Sequence, residues 1–180
     1  MNTMNIFDFH NRLFALLIIV ATGVACAADD VGVRTRLAGL PSTSPSQLAE
    51  LANASEFEVR EKIARNRKTP STTLEKLAAD PHPQVRIAVA TNLSAPLSAY
   101  KKLAADKDAQ VRGVMGRFEY APEEVLAVLA HDAVTDVRFE VLRNPGVTSG
   151  VLQQLTGDSN PDIAHIATQI LKQGGPVSQD

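Results

Sequence analysis

Five arginines recur at one fixed interval. Arg34, Arg60, Arg86, Arg112 and Arg138 stand 26 residues apart, and Ala164 takes the sixth place. A second column, Asp80, Asp106, Asp132 and Asp158, runs at the same interval, with Ala54 in its first place. A guanidinium is a rigid fork of N–H donors that fits a carboxylate or a phosphate. Two chemistries are open to such columns: a stripe that binds anions, or a structural ladder. Arg86 lies inside the apolar stretch "PQVRIAVATN" (83–92), and charged side chains avoid apolar surroundings unless something pairs with them. A binding site rarely needs one residue once per repeat at one depth, whereas an architecture does. The arginine is also lost at 164, where no further row follows. The ladder is therefore the expected reading. Each Asp lies six residues before the arginine place of its row, which Ala164 fills in the last row. There it can cap the following helix or accept from an Arg of its own row or the next.

Other reactive groups are sparse. The histidines are His10, His82, His131 and His165, and the last three fall in different columns, so convergence on a metal is not expected. Neither H-x-x-x-H nor C-x-x-C occurs, there is no G-x-S-x-G elbow, and the one Gly-Gly pair is in the tail. The expectation is a protein without catalytic residues, cofactor or metal.

The elements that position these columns follow from the same period. Leu48, Leu74, Tyr100, Leu126 and Leu152 share a column, as do Leu51, Leu77, Leu103, Leu129 and Leu155. Ala52, Ala78, Ala104 and Ala130 follow, then Val59, Val85, Val111, Val137 and Ile163. Repetition at this period without gaps predicts an α-solenoid. Within a row, "PSTTLEKLAAD" (70–80) places Leu74, Leu77 and Ala78 on one helical face. "PQVRIAVATN" reads as a second, shorter helix. Pro70, Pro96 and Pro122 are expected in first turns, where a missing N–H costs nothing. Asn66, Asn92 and Asn144 are expected to close the second helices in the left-handed conformation. One row cannot bury its own apolar faces, so stacked neighbours must supply the core.

The predicted organisation is a signal peptide over 1–27, an N-terminal half-repeat over 28–44, five repeats over 45–171 and a polar tail over 172–180. "LFALLIIVATGV" (13–24) is too short to span a bilayer comfortably, and "ACA" (25–27) gives a small-x-small cleavage site. Cleavage after Ala27 and residence in a periplasm are expected. A lipid anchor on Cys26 is the alternative, against which Gly23 replaces the leucine typical of such signals. The net charge of −2 lacks the basic excess that nucleic-acid binding requires. No second long apolar run predicts a membrane span.

The row P-x-x-x-L-x-x-L-A-x-D-x-x-x-x-V-R-x-x-V-A-x-N, seen as "PSTTLEKLAADPHPQVRIAVATN" (70–92), resembles the leucine-rich repeat variant family, a relative of HEAT repeats. The resemblance covers about 33–171. It implies an all-α, right-handed solenoid of alternating α and shorter, sometimes 3₁₀, helices, and says little of activity. Some members carry an iron–sulfur domain with clustered cysteines; this chain has one cysteine, so that cofactor is not implied.

In HEAT-like stacks the second helix lines the concave side. Its solvent column here is Arg65, Thr91, Arg117, Arg143 and Gln169, beside Glu61, Ile87, Gly113, Phe139 and His165. Three arginines beside an exposed Ile87 and Phe139 suit a protein partner. Row three departs from the pattern in "VRGVMGRFEYAP" (111–122), with Phe118 for Asn, Tyr120 added, and Gly113 and Gly116 inside a helix. Either aromatic bulk fills the space the glycines leave, or Phe118, Tyr120 and Phe139 line a groove. The expected function is an exported, non-enzymatic scaffold that binds a protein partner on its concave face, as an inhibitor, immunity protein or envelope adaptor. The alternatives are a small-molecule or cell-wall ligand binder using row three, and an envelope spacer.

Overall fold

The computed structural model describes residues 31–174; the signal peptide expected over 1–27, with Cys26, and the last six residues lie outside them. Eleven α-helices and no strands occupy the described residues. In chain order they are α1 (Val31–Gly39), α2 (Pro45–Leu51), α3 (Phe57–Arg65), α4 (Ser71–Leu77), α5 (Pro83–Ala90) and α6 (Leu97–Ala104). They continue as α7 (Ala109–Arg117), α8 (Glu123–Leu129), α9 (Thr135–Leu142), α10 (Ser149–Leu155) and α11 (Pro161–Lys172). The second helix of each row stacks on its predecessor, from α1 on α3 through to α9 on α11, and the first helices of rows two to five pack on one another more sparsely. The result is a two-layer, repeat-like helical arrangement.

The core is the set of columns read from the sequence. Leu48, Leu74, Leu126 and Leu152 are fully buried, as are Val59, Val85 and Val111. Leu77, Leu103, Leu129 and Leu155 are buried to a similar degree. Ala52, Ala78, Ala104 and Ala130 are buried at the ends of the first helices, where a small side chain keeps the turn into the second helix tight.

The relative helix lengths are the reverse of the expectation. The first helices have seven residues, or eight in α6, while the second helices have eight or nine and α11 has twelve. No 3₁₀ helix occurs among the described residues. Residues 78–80 have helix-like side-chain spacing but form the turn: Ala78 is the C-cap of α4, and Asp80 N–H donates to Leu77 O. Pro70, Pro96 and Pro122 stand one position before the first turn, as extended N-cap residues of α4, α6 and α8.

The asparagines also act differently from expectation. No non-glycine described residue has positive φ, and Asn66 is extended at φ −75°, ψ 123°. The side chain does the work instead. Asn92 Nδ2 donates to Ala64 O at 2.6 Å and to Asn66 O at 3.1 Å, while its Oδ1 accepts from Ser94 N–H. Asn66 ties back to Ala38 O and Leu40 O, and Asn144 to Gly116 O and Phe118 O, by the same pattern. Each Asn therefore satisfies carbonyls left open at the end of the preceding row's second helix.

Row three lacks that Asn, and the structure shows what replaces it. Tyr100, in the leucine column, donates its hydroxyl to Asn92 O at 2.6 Å, an acceptor position that Asn92 and Asn144 reach in the preceding rows. Phe118 packs beside it with ring centroids 6.0 Å apart. The two departures in row three are thus a coupled exchange of one donor for another. Tyr100→Phe should cost about 1 kcal/mol, because the buried Asn92 carbonyl loses one of its two donors and keeps Ala95 N–H. The check is urea unfolding, with Tyr100→Phe/Phe118→Asn expected to recover part of the loss.

Candidate functional site

The ladder forms, with a partner choice finer than the sequence allowed. Arg86 Nε donates to Asp106 Oδ2 at 2.6 Å and Arg86 Nη2 to Asp106 Oδ1 at 3.0 Å, a two-pronged contact. Arg60 grips Asp80, Arg112 grips Asp132 and Arg138 grips Asp158 in the same way. The third nitrogen turns back to its own row: Arg86 Nη1 donates to Asp80 O at 2.8 Å, Arg112 Nη1 to Asp106 O and Arg138 Nη1 to Asp132 O. One guanidinium therefore spans two rows. The Asp carboxylate accepts from the Arg of the preceding row, and only its backbone carbonyl meets the Arg of its own row.

The aspartates are not the N-caps of the second helices. Those places belong to Glu56, His82, Asp108, Val134 and Asn160, each two residues later. Asp80 Oδ1 accepts from His82 N–H at 2.8 Å, and Asp106, Asp132 and Asp158 accept likewise from the N-cap residue of their rows. The carboxylate so fixes the turn between the two helices while it receives the neighbour's arginine. The first rung is different: with Ala54 in the Asp place, Arg34 Nη2 donates to Glu56 Oε1 at 2.7 Å. Arg34 Nε and Glu56 Oε2 are buried there with no hydrogen-bond partner among the described residues.

The rungs are largely out of water, with side chains of Arg86 and Asp106 only 6% and 7% exposed. The hydrogen bond from Arg138 holds the Asp158 carboxyl below the usual aspartate range against the effect of burial, helped by Asn160 N–H. Burial pushes Asp132 upward, but hydrogen bonds from Arg112 and Val134 N–H outweigh it and the net direction is down. A carboxyl lowered in the folded state contributes stability that is complete above its unfolded pKa and is lost as pH falls through the folded value. The urea midpoint should therefore fall as the solution is acidified below about pH 4. Asp158→Asn should start less stable and show a shallower fall.

The second-helix face carries a groove of about 360 Å³ across α5, α7 and α9. Ile87, Gly113, Val114 and Val134 give it an apolar lining, and Arg117, Asp136 and Glu140 bring charge to it. Arg65, Arg117 and Arg143 are exposed on this face, but each is engaged. Arg65 pairs with Glu61 at 2.8 Å, Arg117 approaches Glu140 at 3.7 Å, and Arg143 lies over the Phe139 ring, 5.7 Å from its centroid. Ile87 and Phe139 are half-buried rather than exposed.

Phe118, Tyr120 and Phe139, the residues of the alternative groove in row three, do not line this one. Phe118 and Tyr120 meet edge to face at 5.8 Å beyond the end of α7, with Tyr120 62% exposed. Phe139 lies within α9 against Arg143, and none of the three lines the groove. Gly116 needs no aromatic filler, since a Cβ there would stand 3.2 Å from Val141 Cγ2, and α9 itself occupies the space. Asp136 and Glu140 were missed by sequence reasoning because their columns vary from row to row. The signal that bears on them is the spacing of Asp136 and Glu140 at i, i+4 on the second helix of the row after that of Arg117.

His131 and His165 are exposed, while His82 stacks on Phe57 with ring centroids 3.7 Å apart. No group of three or more His, Cys, Asp or Glu side chains is placed to hold a metal among the described residues. No helix among them is long and apolar enough to cross a membrane. No protein-family model, curated protein or solved structure matches the chain.

Proposed function

We propose that this chain is an exported, non-enzymatic repeat scaffold that binds a protein partner through the face formed by its second helices. The groove across α5, α7 and α9 carries the reading: an apolar floor edged by Arg117 and two acids, on a face where Arg65 and Arg143 are also exposed. Arginines and partly buried apolar side chains together have the composition of a recognition surface. The 26-residue row and its resemblance to leucine-rich repeat variant repeats support a solenoid architecture, the usual use of which is binding. The closer packing of second helices than of first helices supports placing this face on the inner, concave side. The leader over 1–27 supports export to a periplasm.

The test is crosslinked affinity capture from an envelope extract. The mature protein is compared with an Arg65→Glu/Arg117→Glu/Arg143→Glu variant that keeps its melting temperature. A partner retained by the first and lost by the second is the expected result. Equal capture by both, or specific capture by neither, would contradict the reading.

A further inference from the structure

Glycine inside a helix costs about 1 kcal/mol relative to alanine. α7 contains two, Gly113 and Gly116. Gly116 is explained by the close approach of α9. Gly113 has no such explanation: a Cβ there would meet only Glu140 Cγ, at an ordinary 3.9 Å. The corresponding residues of the other rows are Glu61, Ile87, Phe139 and His165, so row three alone lacks a side chain at this place. The gap lies between the rows that carry Ile87 and Phe139, and it opens on the groove.

We propose that the space above Gly113 seats one bulky apolar side chain of a partner polypeptide, flanked in that segment by an acidic group facing Arg117 and a basic group facing Asp136. This rests on the partner-binding reading above and names the chemistry of the segment bound. The volume of about 360 Å³ is at the small end of ligand pockets, and suits a leucine or aromatic anchor better than a cofactor. Binding energy at protein interfaces concentrates on such anchors. The charges have opposite signs on opposite sides. Arg117 closes α7 with its side chain 63% exposed and only a 3.7 Å approach to Glu140, so it is free to take a second carboxylate. Asp136 is exposed in the first turn of α9.

The experiment selects from a random twelve-residue phage-displayed library on the immobilised mature protein. The recovered peptides are then measured by fluorescence anisotropy against the unmutated protein, Gly113→Leu and the triple arginine-to-glutamate variant. Gly113→Leu removes a helix-breaking residue and fills the seat. It should raise the melting temperature yet weaken peptide binding about tenfold or more. Gly113→Met, with a more adaptable side chain, is the second filling variant should leucine lower the melting temperature. Recovered peptides should share a Leu, Phe or Trp with an acidic residue close by. Peptides that bind Gly113→Leu normally but lose the triple variant overturn the seat and leave the face reading standing. Peptides that bind all three proteins alike overturn both. Failure to select any peptide above an unrelated control protein overturns the seat, while the capture experiment still decides the face.

Discussion

Arg86→Ala is expected to destabilise the protein by about 3–5 kcal/mol, the cost of removing one partner from a buried ion pair. That is a large share of the roughly 5–15 kcal/mol by which folded domains are stable. The reason is what stays behind. Asp106, whose side chain is 7% exposed with Arg86 in place, keeps its negative charge but only one backbone donor, Asp108 N–H, in place of three donors. The carbonyls of Asp80 and Pro81 lose the Nη1 donor as well. From the sequence alone, about 1–3 kcal/mol is the expectation for unsatisfied partners. The burial of both ends raises it. Arg86→Lys keeps the charge but cannot reproduce the fork, and should fall between the two. Urea unfolding of the three proteins provides the comparison.

Leu77→Ala should cost about 2–5 kcal/mol through lost burial and the cavity left behind. Leu77 is 2% exposed at the end of α4, directly before Ala78 and the turn that carries Asp80. A cavity there loosens both the contact between the two helices of its row and the seat of the rung from Arg60. Leu97→Ala is the matched control, because Leu97 is 41% exposed at the start of α6. Its cost should stay within about 0.5 kcal/mol. Equal losses for the two leucines would mean that the columns do not define the core.

The core and the ladder were legible in the sequence for one physical reason. Stacking repeats requires the same residue at the same depth in every row, so periodicity carries the packing directly. The Leu, Val, Arg and Asp columns all have that property. What periodicity could not give was direction. Asp80 stands six residues from Arg86 and twenty from Arg60, and only the offset between stacked rows selects the second for the carboxylate. The Asn column was legible as a helix terminator, but its role was misassigned. Asn has two routes to satisfy open carbonyls, a left-handed backbone or its own amide, and the latter reaches across rows. Tyr100 and Phe118 were visible as departures from the pattern, yet their coupling through Asn92 O depends on a contact no column encodes. The candidate site was least legible. Ile87 and Gly113 share a column whose residue differs in every row, Arg117 lies in one that is arginine in only three of five, and a groove between helices is a property of neighbours, not of a period.

The two ends of the ladder differ from its middle: Ala164 stands in the arginine place of the last row, and Arg34 in front of the first row turns to Glu56. A buried ion pair is weak evidence for stability by itself, and an apolar pair of similar size is often as good. What the bidentate geometry adds is register: each rung fits only one offset between neighbouring rows. The central claim is that these rungs couple the rows energetically, and a double-mutant cycle on Arg86 and Asp106 tests it most directly. If the claim holds, Arg86→Ala and Asp106→Ala each cost several kcal/mol by urea unfolding, and the double variant costs less than their sum by about 2 kcal/mol or more. Two costs that add to within about 0.5 kcal/mol would contradict it.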